Sequence, residues 1–164
     1  MNIKIKRLIL IFLGIFSLVL GASFFWQQEN KITIIRNIEY ATYQGKNEEK
    51  KLLLDLYLPT QKRANLEPLI IYIHGGGWRE FDKSLCPGED VAKKGFPIAC
   101  INYRLSGEAI FPAQIEDVKE AVRWLRVNGA EYNFNSEKIG AWGHSAGGHL
   151  STLLGVSGGV KALA

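Results

Sequence analysis

The stretch from Lys138 to Leu150 constrains the chain most. Ile139 to Trp142 is a short apolar run that reads as a buried strand, and Gly143-His144-Ser145-Ala146-Gly147 follows at once. Leu150 to Leu154 then continues as a helix. This is G-x-S-x-G in its required context of strand, sharp turn and helix. A serine presented above the end of a strand sits in a strained backbone with neighbouring chain close on both sides, so Gly143 and Gly147 are needed where a Cβ would clash. The Ala146 amide lies at the helix N-terminus, where an N–H stabilises developing negative charge.

A second glycine cluster lies upstream. Leu69 to Ile73 is an apolar run rich in β-branched residues, bounded by Pro68 and followed by His74-Gly75-Gly76-Gly77-Trp78. Such a loop after a strand lets backbone N–H groups come close to a substrate oxygen. A dinucleotide fingerprint is disfavoured, because G-x-G-x-x-G begun at Gly75 puts Glu80 where the third glycine belongs. Between the two clusters there is room for two strand–helix units of about 30 residues each.

Four motifs in this order resemble the α/β-hydrolase esterases: His74 to Trp78, Ile101-Asn102-Tyr103-Arg104-Leu105-Ser106, Phe111-Pro112-Ala113-Gln114-Ile115-Glu116-Asp117, and Gly143 to Leu150. The likeness is to bacterial carboxylesterases grouped with feruloyl and acetylxylan esterases, with hormone-sensitive-lipase-type and arylformamidase enzymes as relatives. It extends from about Ile38 to the C-terminus. The resemblance implies a serine hydrolase of carboxylic esters. Ser145 would be its nucleophile, and Gly75, Gly76 and Ala146 its oxyanion hole. His74, Gly77, Gly143 and Gly147 would support the motifs, and Trp78 would wall the acyl pocket. The implied substrate is a small ester, with acylated carbohydrate as the best match, and no cofactor is implied.

The triad order of this fold, Ser then Asp/Glu then His, raises a difficulty. After Ser145 the only histidine is His149, held on the same helix and expected to pack rather than to reach the Ser145 hydroxyl. His144, at the variable position of the motif, is expected to pack beneath the turn. The expectation is therefore the N-terminal part of a hydrolase, shortened after the turn, with the strand at Lys138–Trp142 left as an exposed edge. Losing the base of a serine hydrolase costs on the order of 10⁶ in kcat. Two alternatives follow: a catalytically inactive remnant that keeps the pocket, or a peptidase or amidase on the same fold.

The N-terminus reads as a targeting segment. Lys4, Lys6 and Arg7 precede an uncharged, mostly apolar run from Leu8 to Trp26, of a length between a signal-peptide core and a membrane span. The expected organisation is a signal peptide or membrane anchor at 1–26, a linker at 27–37 and a partial hydrolase domain at 38–164. With the positive end inside, the domain lies outside the cytoplasmic membrane, secreted or anchored. Part of the formal net charge of +4 belongs to the leader, so nucleic-acid binding has little support. The two cysteines, Cys86 and Cys100, could pair in an oxidising compartment. Since Cys100 lies within the apolar run Ile98 to Ile101, a buried free thiol is expected. No His, Cys and carboxylate residues have metal-ligand spacing.

The rest reads as α/β with a mostly parallel sheet and an N-terminal antiparallel hairpin. Ile32 to Tyr43 and Leu52 to Leu58 form the hairpin, with Leu52, Leu54, Leu56 and Leu58 on a buried face and Asp55 and Tyr57 on a wet one. A short helix is expected near Glu89 to Lys94, stopped by Gly95, and a strand at Phe96 to Tyr103. Pro112 opens a helix to about Asn128, with Ile115, Val118, Val122 and Leu125 as its apolar stripe. Arg104 and Asp117 are expected to form a structural pair that braces the loop before this helix.

Overall fold

The computed structural model describes residues 31–61 and 65–157, together with Ser17. Apart from Ser17, the expected leader lies outside the described residues. Among the described residues no helix is long and apolar enough to cross a membrane.

Five strands, β1 (Ile32–Gln44), β2 (Glu49–Pro59), β3 (Pro68–Ile73), β4 (Ile98–Ile101) and β5 (Asn135–Gly143), form one sheet in the order β1-β2-β4-β3-β5. Among the described residues three helices of more than one turn accompany them: α1 (Gly88–Lys93), α2 (Ala113–Asn128) and α3 (Ala146–Val156). The sheet is mixed rather than mostly parallel. β1 pairs with β2 and β2 with β4 in antiparallel register, while β3 pairs in parallel with both β4 and β5. β2 joins a hairpin to the parallel strands and so runs against both of its neighbours.

Side-chain alternation sorts the strands onto two covered faces. Leu54, Leu56, Leu69, Ile71, Ile73 and Ile101 point into a core closed by Ile115, Val118, Val122 and Leu125 of α2 and by Leu150 of α3. Tyr57, Tyr72, Ile98 and Cys100 point the other way, against Ala92 of α1. The wet face expected for Asp55 and Tyr57 is therefore absent; both are buried. A Cβ on Gly88 would lie 2.4 Å from the Tyr57 ring, so α1 packs directly over that face.

The cysteines also differ from expectation. Cys86 and Cys100 form a disulfide, with Cα atoms 5.9 Å apart. Cys100 is buried as foreseen, but a short 3₁₀ turn at Lys83–Leu85 brings Cys86 onto the same face of the sheet.

β5 is the last strand of the described sheet, with β3 as its one neighbour. Its Ile139–Trp142 run is accordingly not buried: Gly140 and Ala141 are exposed, and Trp142 rests edge-on against Tyr72. α2 matches its periodicity, with Pro112 at its N-cap and Gly129 at its C-cap.

Candidate active site

β3 and β5 end side by side, Ile73 opposite Gly143, and each runs into its glycine cluster. This pairing brings together two motifs that lie far apart in sequence.

At the end of β5 the chain turns sharply through Ser145, which has φ 54° and ψ −118° and caps α3. A non-glycine residue there is strained, and close packing holds it in place. A Cβ on Gly143 would lie 2.3 Å from the Gly147 backbone, and one on Gly147 would lie 1.9 Å from the Ile73 carbonyl oxygen. Both positions accept only glycine. The turn is closed by Gly147 N–H donating to His144 O at 2.9 Å and His149 N–H donating to Ser145 O at 3.0 Å. Ser145 is exposed, and Ala146, buried, opens the helix, where the first N–H groups have no intrahelical acceptor.

The loop after β3 presses on this turn. A Cβ on Gly75 would fall 2.8 Å from His144 O and 3.4 Å from Ser145 Cβ. Gly76 has φ 103°, and its carbonyl accepts from Arg79 N–H at 2.9 Å and Glu80 N–H at 3.2 Å. Its carbonyl is thus committed to the loop. Gly77 and Trp78 also have positive φ, and Trp78 O accepts from Ser106 N–H at 2.7 Å.

His74 fixes the loop from behind. It is buried, stacked on Tyr103 with ring centroids 4.4 Å apart, and its Nδ1 donates to Gly75 O at 2.8 Å. That bond sets the orientation of the Gly75–Gly76 peptide. Burial pushes the imidazole pKa down, partly opposed by the Gly75 hydrogen bond. The Tyr103 hydroxyl donates to His74 O at 3.0 Å, and burial pushes its pKa up to about 12.

One sequence expectation changes here. His144 is exposed and lines the same cleft as Ser145, instead of packing beneath the turn. β5 is the last strand of the described sheet, and the residue before Ser145 is exposed there. His149 is exposed but rests its ring edge-on against Trp78 at 5.4 Å, and both line a neighbouring cleft rather than the one holding Ser145. Among the described residues the one side-chain hydrogen bond of a histidine ring is that of His74.

Arg104 and Asp117 pair as expected. Arg104 Nε donates to Asp117 Oδ2 at 2.9 Å, Nη2 to Oδ1 at 2.6 Å, and the Arg104 backbone N–H to Oδ2 at 2.8 Å. The pair ties the loop after β4 to α2.

Sequence reasoning missed Asp55. It accepts from Lys83 Nζ at 2.7 Å, Arg36 Nη1 at 3.3 Å and the Asn37 N–H at 2.8 Å. Asn37 sits with φ 57° where β1 slips register against β2. The Lys83 backbone N–H also donates to Asn102 Oδ1 at 2.8 Å. The far end of the glycine loop is therefore anchored to β2 and to the segment after β4. A carboxylate inside an otherwise leucine-rich apolar run was the available signal.

The sequence profile of the BD-FAE family matches residues 54–164, which include both glycine clusters and Ser145. The chain belongs to the BD-FAE family. Its fold is of the α/β-hydrolase kind. A truncated carbohydrate esterase from gut microbiota is 40% identical in sequence, with a TM-score of 0.66 over 80% of this chain and 46% of its own. An arylacetamide deacetylase of Oryctolagus cuniculus is 35% identical over 106 residues, 60% of this chain and 27% of its own. The carboxylesterase NlhH of Mycobacterium tuberculosis is 33% identical over 103 residues, 60% of this chain and 32% of its own. This BD-FAE chain thus spans about a third or less of these curated relatives and under half of the solved one.

Proposed function

We propose that this BD-FAE chain carries the nucleophile and oxyanion hole of a carboxylic-ester hydrolase. Ser145 Oγ attacks the ester carbonyl, and the amides of Gly75 or Gly76 and of Ala146 receive the developing oxyanion. Collapse expels the alcohol, leaving an acyl-serine that water hydrolyses. The observation that carries this reading is the strained Ser145 at the α3 N-terminus with Gly75 beside it, where an added Cβ would meet Ser145 Cβ at 3.4 Å. Gly77, Gly143 and Gly147 allow the backbones to approach, and His74 orients the loop.

The test is fluorophosphonate labelling read by intact mass, with Ser145→Ala as control. One adduct per chain, lost in the variant, is the expected result; an unlabelled folded chain overturns it. The second reading, a pocket that binds without turnover, is favoured by the absence, among the described residues, of a histidine bonded to the Ser145 hydroxyl. Under it, ester ligands bind and no adduct forms.

Esters on carbohydrate are the substrate class supported by the gut-microbial relative. We further propose that residues 1–26 form a signal peptide or membrane anchor and that the hydrolase domain is held outside the cytoplasmic membrane; the linker expected at 27–37 is shortened, because β1 already pairs with β2 from Ile32. Lys4, Lys6 and Arg7 before the apolar run support this, as does the Cys86–Cys100 disulfide, since disulfides persist in oxidising compartments. Cell fractionation with N-terminal mass analysis checks it; an intact N-terminus on cytosolic protein would refute it.

A further inference from the structure

Beside the cleft that holds Ser145 a second opens, of about 390 Å³. Trp78 and Phe111 wall it, and Ser106, Gln114 and His149 add polar groups. Among the described residues no carboxylate lines it. Arg79 lines both clefts, whereas the next residue, Glu80, lines the Ser145 cleft alone.

Arg79 is unlike the paired arginines of this chain. Arg36, Arg104 and Arg123 each hold a carboxylate, while the Arg79 guanidinium has no ion-pair partner among the described residues. Its backbone is fixed by the bond from Arg79 N–H to Gly76 O, and the neighbouring Trp78 by its carbonyl bond to Ser106 and its ring contact with His149. Phe111 is 64% exposed, an apolar face turned to solvent beside that cation. A guanidinium is a planar fork suited to a carboxylate, and two aromatic walls suit the flat face of a ring.

We propose that the second cleft takes the part of the ester remote from the reacting carbonyl, and that this part is a ring bearing a carboxylate. The carboxylate pairs with Arg79 and the ring packs on Trp78 and Phe111. The link to the ester rests on Ser145 as nucleophile; the ring-binding itself does not.

The test is a ligand-observed NMR titration of the full chain at low salt with two matched pairs, benzoate against benzamide and glucuronate against methyl glucoside. At least one carboxylate should bind about tenfold tighter than its neutral partner, the size of a charge-assisted hydrogen bond. A preference for benzoate identifies an aromatic ring, and one for glucuronate an acidic sugar. Arg79→Gln should erase the preference and Arg79→Lys restore part of it. Phe111→Ala should weaken charged and neutral ligands alike. Equal binding within both pairs, or a preference that survives Arg79→Gln in protein that melts normally, overturns the proposal. Ser145 labelling by a neutral fluorophosphonate is read separately: its failure would sink the hydrolase reading and leave the carboxylate preference standing.

Discussion

At Gly147 an added methyl group would meet the carbonyl oxygens of Ile73 and His74 at 1.9 and 2.7 Å, both of them backbone at the end of β3. Neither can move without parting the two glycine clusters. Gly147→Ala should therefore cost at least the roughly 1–3 kcal/mol typical of overpacking, read from denaturant melts. Gly155, in the same helix, faces open space. Gly155→Ala should instead gain about 0.5–1 kcal/mol from helix propensity. His74 gives a pH dependence of definite sign. Its folded pKa is lowered by burial, so below about 6.5 the unfolded chain takes up a proton that the folded one does not. Its contribution is complete above that value and is lost as pH falls toward the folded pKa. Urea midpoints should fall between pH 7 and 5, and less steeply in His74→Asn. The serine and its glycines were legible because motif spacing encodes backbone clashes. The direction of His144 was not, since it depends on which strand ends the sheet.

At the scale of elements, α2 shows what periodicity can reach. Its stripe of Ile115, Val118, Val122 and Leu125 is the buried face, and its bounds follow Pro112 and Gly129. The hairpin shows the limit. Alternation in β2 placed Asp55 and Tyr57 on one side correctly, but whether that side is wet depends on α1 and the 3₁₀ turn crossing it, which is tertiary information. Asp117 is the acid that joins the loop after β4 to α2, and its partner Arg104 has a side chain 21% exposed. Solvent there softens the cost of losing the charge, so Asp117→Asn should destabilise by about 2 kcal/mol, below the value for a fully buried pair. Because neither residue of the pair lines the Ser145 cleft, phosphonate labelling of the folded variant should persist. A normal melt with lost labelling would move Asp117 from a structural to a chemical role.

For the whole molecule, what matters is how the glycine loop is held at both ends. Its start is fixed by β3, which pairs with β4 and β5, and its far end by Lys83 on Asp55 and by Cys86 on Cys100 of β4. The segment between carries Gly75, Gly76, Trp78 and Arg79, all of which line the two clefts or support their shape. The cysteine pairing was not legible in the sequence, because an apolar run predicts burial and says nothing of what approaches from across the sheet. A cross-link closing a loop of about 15 residues stabilises by about 3 kcal/mol, mainly by restricting the unfolded chain; the separation here is 14. Urea melts with and without reductant should differ by that amount, and Cys86→Ser should match the reduced protein. The clefts should respond as well. With the Lys83–Asp55 contact still in place, the reduced chain stays folded at low urea while the segment after Arg79 gains freedom. Ser145 labelling should then slow in reduced protein that circular dichroism reports as native. If labelling is unchanged, the disulfide stabilises the fold alone, and the Asp55–Lys83 anchor suffices to hold the loop.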